Sequence, residues 1–224
     1  MTNTENTIQV YNLIILDESG SMQSIKQATI GGFNETVQTI KHLQKEYETQ
    51  RHHITLLTFN GLGIKTKLFN QPVAVLQELN DASYQPASMT PLFDAIGIGV
   101  TDLRKSLTGA TNYTVLVTIL TDGEENASKE WNGAGIKKLI EELRPQGWTF
   151  TYIGANHDVT AVAASLSIQN SMRFNANTEE TQQMFRKESA QRSIYFKKMS
   201  KSGNKLDREE SNYFDAKDGD EDSK

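Results

Sequence analysis

Two aspartates that each close an apolar run offer the most chemistry in this sequence. Asp17 ends the run Ile8 to Leu16 (IQVYNLIIL), and Asp122 follows Tyr113 to Leu120 (YTVLVTIL) and Thr121. Aspartate disfavours strands, and a carboxylate buried at a strand end needs a charge partner. Ser19 and Ser21 follow Asp17 at alternate positions, so an extended chain would line three oxygens along one wall. The chain has no cysteine, which excludes a disulfide scaffold, a thiolate cluster and a cysteine nucleophile. Any metal site must therefore use oxygen or imidazole. Plainer readings exist for single residues: Ser21 can cap the helix expected from Met22, and Thr90 stands directly before Pro91 as an ordinary helix cap.

The elements that must position these residues follow from hydrophobic periodicity. Ile8 to Leu16 reads as a buried first strand, followed by a helix from about Met22 to Tyr47 with Gly31-Gly32 in its middle. His53 to Phe59 is a second strand. Ile64 to Phe69 alternates after the turn Asn60-Gly61-Leu62-Gly63 and reads as an antiparallel edge partner. A short helix is expected at Val73 to Leu79 and a longer one from Thr90-Pro91 to Leu107, with Tyr113 to Leu120 as the central strand. Helices at Ala134 to Leu143, Asp158 to Ser165 and Thr178 to Met199 then alternate with strands at Trp148 to Ile153 and Ser171 to Phe174. This order predicts an α/β fold: a doubly wound, Rossmann-like, mostly parallel sheet of about six strands, one edge strand antiparallel, with helices on both faces. In such sheets ligands bind beyond the carboxyl ends of the strands, where strand order reverses. Asp17 and Asp122 meet there if their strands are neighbours.

Composition narrows the function. The 224 residues carry a net charge of −5, which gives no global attraction to nucleic acid or an anionic membrane. That charge is concentrated at the end, since residues 207–224 hold eight acids against three bases. The expected organisation is one domain over 1–200 and an acidic tail over 201–224, disordered because residues 207–224 hold few apolar side chains, Tyr213, Phe214 and Ala216. No export signal or apolar run of about 18 residues is evident, so the expected localisation is cytoplasmic.

Asp17-Glu18-Ser19-Gly20-Ser21-Met22 resembles the D-x-S-x-S signature of the von Willebrand factor type A (vWA) domain and its metal-ion-dependent adhesion site (MIDAS). Thr90-Pro91-Leu92 and Thr121-Asp122-Gly123 are similar to that family's second and third metal segments, and the likeness runs from Ile8 to the last helix. The resemblance implies that Asp17, Ser19, Ser21, Thr90 and Asp122 hold one divalent ion, Mg2+ first, with Mn2+ or Ca2+ as alternatives. Oxygen ligands suit such a hard cation. It also implies a protein-binding function in which the ion takes an acidic side chain from a partner protein. Like stand-alone intracellular bacterial members, the chain would act as an accessory subunit beside an ATPase or chaperone. Glu18, Glu124 and Glu125 depart from the pattern, adding acidity near the cleft that works against an acidic partner.

The rival reading is a magnesium-dependent phosphohydrolase of the haloacid dehalogenase type, which also starts from an aspartate ending its first strand. That chemistry needs an acid two residues on, and Ser19 stands there. No phosphate-binding glycine loop, H-E-x-x-H or G-x-S-x-G motif is present, so the expectation is a binding module and not an enzyme. His52 and His53 are expected at the surface or strand edge, and His157 beside Asp158 on the ligand-binding edge, as a partner contact or as turn and cap chemistry.

Overall fold

The computed structural model describes residues 7–201 together with 213 and 214. Its strands are β1 (Ile8–Asp17), β2 (Gln50–Asn60), β3 (Gly63–Pro72), β4 (Tyr113–Thr121), β5 (Trp148–Ala155) and β6 (Asn170–Phe174). They form one sheet in the order β3-β2-β1-β4-β5-β6. All pairings are parallel except β2 with β3, the hairpin closed by Gly61-Leu62. The fold class read from the alternation holds, including its antiparallel edge.

Alternation along each buried strand sends side chains to two separate cores. Val10, Ile14 and Leu16 of β1 meet Phe33, Val37 and Ile40 of helix α1 (Lys26–Glu46) and Phe185 and Phe196 of helix α5 (Thr178–Lys201). Leu13 and Ile15 point the other way, toward Ile96 and Val100 of α2 (Leu92–Ser106) and Ile136 and Ile140 of α3 (Gly133–Leu143). Helix α4 (Val159–Ser165) joins this second core through Val159 and Ala163. Both faces of the central strands are thus removed from water, as their near-continuous apolar runs require. Gly32 does not break α1. A Cβ there would lie 2.0 Å from the Phe185 ring, so the glycine lets α1 and α5 approach closely.

Strands β1 and β4 are neighbours at the sheet centre, with Leu16 paired to Leu120. The chain leaves β1 toward the α1 face and β4 toward the α3 face. This is the reversal of strand order at which a crevice opens, and Asp17 and Asp122 stand at it.

Local differences from the sequence reading have physical causes. Gly20–Ile25 forms a 3-10 helix, and α1 begins only at Lys26. The helix expected at Val73 to Leu79 shrinks to a 3-10 turn, Val73–Val75. Asn34 of α1 holds the rest extended, accepting from Leu79 N at 2.7 Å and donating to its carbonyl at 3.0 Å.

Asn12 in β1 and Thr118 in β4 interrupt otherwise apolar runs, and both serve α5. Arg192, fully buried, donates to Asn12 Oδ1 at 2.9 Å, to Thr118 Oγ1 at 2.8 Å and to Glu188 Oε1 at 2.6 and 2.9 Å. Tyr213 and Phe214, expected in a disordered tail, are buried. The Tyr213 hydroxyl donates to Glu188 at 3.2 Å and its N–H to Asn170 Oδ1 at 2.8 Å. Two aromatic rings bury enough apolar surface to fix themselves. Lys201, the first residue of the expected tail, still belongs to α5, and the remainder lies outside the described residues.

Candidate metal centre

The end of β1 turns sharply where an extended run of alternating oxygens was expected. Asp17 Oδ1 accepts from Ser19 N at 2.7 Å, an Asx turn that folds the chain back at the strand end. The serines stay together, with Ser19 Oγ 3.1 Å from Ser21 Oγ. Across the crevice, Thr121 donates its hydroxyl to Asp17 Oδ2 at 2.6 Å, and Ser21 Oγ donates to Asp122 Oδ1 at 2.5 Å.

Thr90 reaches this cluster from a third segment. A Cβ placed on Gly123 would lie 3.3 Å from Thr90 Oγ1 and 3.4 Å from Ser21 Oγ, so both hydroxyls border the space that this glycine leaves open. Neither stands at a helix cap, Ser21 lying inside the 3-10 helix Gly20–Ile25. Helix α2 starts at Leu92 after Pro91, without a side-chain cap, and Ser19 precedes the 3-10 turn without capping it. All five residues predicted from the sequence are brought to one place.

The segments are stitched by groups that motif spacing does not reveal. Tyr84, fully buried, donates its hydroxyl to the Asp17 carbonyl at 2.6 Å. The Glu18 carboxylate accepts from Gln85 N at 2.6 Å, and Ala87 N donates to the Glu18 carbonyl at 2.9 Å. Gly20 N donates to Ser88 O at 2.9 Å. On the other side, Asn126 Oδ1 accepts from Thr90 N at 2.8 Å, while Glu125 accepts from Phe93 N, Ala127 N, Ser128 N and Ser128 Oγ. Asp94 takes the N–H groups of Lys129, Glu130 and Trp131. The only sequence signal for this scaffold was a density of acids with no obvious helix to serve. Two of the three extra acids, Glu18 and Glu125, are thereby committed to loop backbone, and Glu124 alone stays exposed.

Electrostatics mark the two aspartates as short of a cation. Burial, ahead of the nearby charge of Asp122, pushes the Asp17 carboxyl up to about 6, although hydrogen bonds from Thr121 and Ser19 act against it. Burial likewise raises Asp122, opposed by its hydrogen bond with Ser21. Asp122 Oδ2 is buried and has no hydrogen-bond partner among the described residues, a costly state for a carboxylate oxygen. Two carboxylates, three hydroxyls and an orphaned anionic oxygen fit a small hard cation. Among the described residues no cluster of three or more histidine or acidic side chains could hold a metal, so hydroxyls must complete any ligand set.

The histidines take other roles. His157 is 7% exposed, within the fold and not on its rim. Its Nδ1 lies 2.6 Å from the Ala155 carbonyl, which can only accept, so Nε2 accepts from the Tyr152 hydroxyl at 3.0 Å. Asp158 caps α4 as expected, accepting from Ala161 N at 3.0 Å. His52, expected near the surface, is buried against Phe196 and Gln50, and that burial pulls its pKa down to about 3. His53 is half-buried and stacks on Tyr11.

The family model of the von Willebrand factor type A domain matches residues 13–191. A comparison with curated proteins finds no match. Among solved structures, the chain is similar to a von Willebrand factor type A protein from Catenulispora acidiphila, at 14% identity and a TM-score of 0.55, covering 84% of this chain and 43% of that one. It is similar to the pilus adhesin SpaC of Lactobacillus rhamnosus GG in its open conformation, at 11% identity and a TM-score of 0.59, covering 86% and 31%. For the vWF domain of the type V pili tip protein Mfa5 from Porphyromonas gingivalis the identity is 12% and the TM-score 0.54, covering 88% and 96%. The chain thus spans less than half of the first two proteins and nearly all of the third domain. At these identities the likeness is one of fold. Among the described residues no helix is long and apolar enough to cross a membrane.

Proposed function

From the premise that the chain belongs to the von Willebrand factor type A domain family, we propose that it is a protein-binding module whose partner is captured through a divalent cation. Asp17, Ser19, Ser21, Thr90 and Asp122 would hold the ion, some of them through water, with Mg2+ the first choice and Mn2+ or Ca2+ as alternatives. A divalent cation held there supplies an electrophilic coordination position for a carboxylate oxygen from a partner protein. The observation that carries this reading is the buried, unpartnered Asp122 Oδ2 beside the Ser21 and Thr90 hydroxyls.

The chain's own groups support it in detail. Thr121 and the Ser19 N–H fix both oxygens of Asp17, so that carboxylate is oriented before any ligand arrives. Ser21 is exposed, and its hydroxyl can turn from Asp122 to offer a lone pair. With Glu18 and Glu125 turned to loop backbone, the rim repels an acidic partner less than the sequence suggests. The phosphohydrolase alternative gains nothing, since Ser19 holds the position of the needed acid and Glu18 is engaged with Gln85 N.

We extend the proposal to an accessory role in a cytoplasmic complex, with an ATPase or chaperone as the partner class. Calorimetric titration with MgCl2 is the direct test. One binding site is expected, absent in Asp122→Ala and in Asp17→Ala, and partner capture should be lost on adding EDTA. A titration without heat, accompanied by no thermal stabilisation at millimolar MgCl2, would refute the metal centre.

A further inference from the structure

Tyr213 and Phe214 are buried although the eleven residues 202–212 separate them from Lys201, the end of α5. The sequence around them offers little else to bury. Residues 202–212 hold one apolar side chain, Leu206, and residues 215–224 one, Ala216. The Glu188 carboxylate that Tyr213 meets lies roughly 20 Å back along α5 from Lys201, within the reach of an eleven-residue connection. The chain can therefore fold back on its own last helix.

The groups that receive the pair are oriented by the rest of the fold. Asn170, at the start of β6, donates Nδ2 to the Phe150 carbonyl of β5 at 3.0 Å, which aims its Oδ1 at Tyr213 N, 2.8 Å away. Glu188 Oε1 accepts from Arg192 at 2.6 and 2.9 Å and takes the Tyr213 hydroxyl at 3.2 Å as a further donor. Tyr195 Oη lies 2.9 Å from Thr149 Oγ1, and its ring centroid is 5.5 Å from that of Tyr213. Phe214 packs edge-on to Tyr213 at 5.0 Å. Asn170, Glu188 and Tyr195 each keep another partner when Tyr213 departs, so the slot does not need its occupant in order to stand.

We propose that the slot between α5 and β6 is a docking site for an aromatic pair, filled in cis by Tyr213-Phe214, and that this strap opens while the rest of the domain stays folded. The anchor is carried by two rings, since flanking segments of such composition add little burial. Opening an element of this kind is local and costs far less than global unfolding. The tether holds the pair at an effective concentration on the order of millimolar, so the cis occupant excludes a competitor until one is supplied at a similar level. An open slot accepts the same chemistry from outside: a tyrosine offering its N–H to Asn170 and its hydroxyl to Glu188, followed by a second aromatic ring. β5 stands between this slot and the β1–β4 crevice, and the inference does not rest on the metal-dependent reading.

The test is amide hydrogen exchange on the full chain in EDTA, wild type against a Tyr213→Ser, Phe214→Ser double variant. The synthetic peptide acetyl-Glu-Ser-Asn-Tyr-Phe-Asp-Ala-amide, which copies residues 210–216, is the probe. In the variant the amides of α5 and β6 are expected to exchange about tenfold faster than in the wild type, with those of β4 and α3 unchanged. The peptide at about 5 mM should restore their protection, and its Tyr→Ser version should not. Equal exchange in variant and wild type would overturn the inference, and so would a loss of protection that the peptide leaves unrepaired, since the pair would then be an inseparable part of the core. The wild-type chain gives a reading that survives a variant unable to fold: its Tyr213 amide should exchange at least about tenfold faster than the amides of β4. Equal protection at the two places would show that the pair leaves only by global unfolding and would refute the strap. A wild-type dimer that the double variant abolishes would overturn the cis assignment.

Discussion

Asp17→Asn should stabilise the metal-free protein at neutral pH. Asp17 is fully buried, and its carboxyl is raised from 3.8 to about 6 chiefly by that burial. Because the folded state holds this proton more tightly than the unfolded chain, its contribution to stability is complete below about pH 4 and is lost as pH rises through about 6. The displacement corresponds to roughly 3 kcal/mol at pH 7. Asparagine removes the charge and keeps the shape. Its Oδ1 can still accept from Ser19 N, and its Nδ2 can donate to Thr121 Oγ1, whose own proton can turn to the Gly123 carbonyl 3.1 Å away.

In EDTA at pH 7 the variant is therefore expected to be ~1–3 kcal/mol more stable than the wild type, the lower figure allowing for weaker neutral hydrogen bonds. For a chain of this size that is roughly 3–10 °C in melting temperature. Thermal unfolding of both proteins at pH 4 and pH 7, followed by circular dichroism, isolates the effect as a gap that opens with pH and closes at pH 4. Added MgCl2 should raise the wild type and leave the variant nearly unchanged, reversing their order. A variant no more stable than the metal-free wild type at pH 7, or a gap equal at both pH values, would show that burial of this charge is not what the site opposes.

Two further predictions concern groups behind the site. Arg192→Ala leaves Glu188 buried without its cation and strips Asn12 Oδ1 and Thr118 Oγ1 of a donor, so chemical denaturation should show a loss of about 3–5 kcal/mol; a loss under about 1 kcal/mol would mean that water or Tyr213 replaces the guanidinium. Glu125→Gln can no longer accept all four of its hydrogen bonds from Phe93, Ala127 and Ser128, and calorimetry should find Mg2+ affinity lowered about tenfold as Asp122 and Thr90 lose their shared support.

The sheet and the meeting of Asp17, Ser21, Thr90 and Asp122 at its reversal were legible because each is written in short-range pattern. Alternating buried strands and amphipathic helices fix an α/β layer order, and the ends of Ile8–Asp17 and Tyr113–Thr121 lie at its reversal. What was not legible depends on contacts between distant segments. Nothing in the spacing of Tyr84 announces that its hydroxyl reaches the Asp17 carbonyl across 67 positions of sequence. Thr90 before Pro91 has the local form of a cap, and only the Asn126 partner of its N–H and the open space over Gly123 that its hydroxyl borders identify its actual place. Arg192 lay unnoticed on a mostly polar helix, yet Asn12 in the middle of IQVYNLIIL was a usable signal. A buried amide in an apolar strand must find a partner.

The candidate metal centre and the Arg192 cluster are two solutions to the same problem on the same two strands. Polar groups on β1 and β4 are buried because those strands form the sheet centre, and each group then requires a partner of opposite character. On the α5 face the chain supplies that partner itself: Arg192 satisfies Asn12 and Thr118 and is neutralised by Glu188. At the strand ends Asp17 and Asp122 receive hydroxyls and one N–H but, among the described residues, no cation. A lysine or arginine in that crevice would satisfy them as Arg192 does its neighbours, and it would also close the site to any outside ligand. Leaving the charge uncompensated costs stability at neutral pH, and under the proposed function that same deficit would drive the uptake of a cation from solution. The contrast between the two clusters is therefore the physical difference between a structural ion pair and the binding site proposed here, and the Asp17→Asn and Arg192→Ala variants should shift stability in opposite directions.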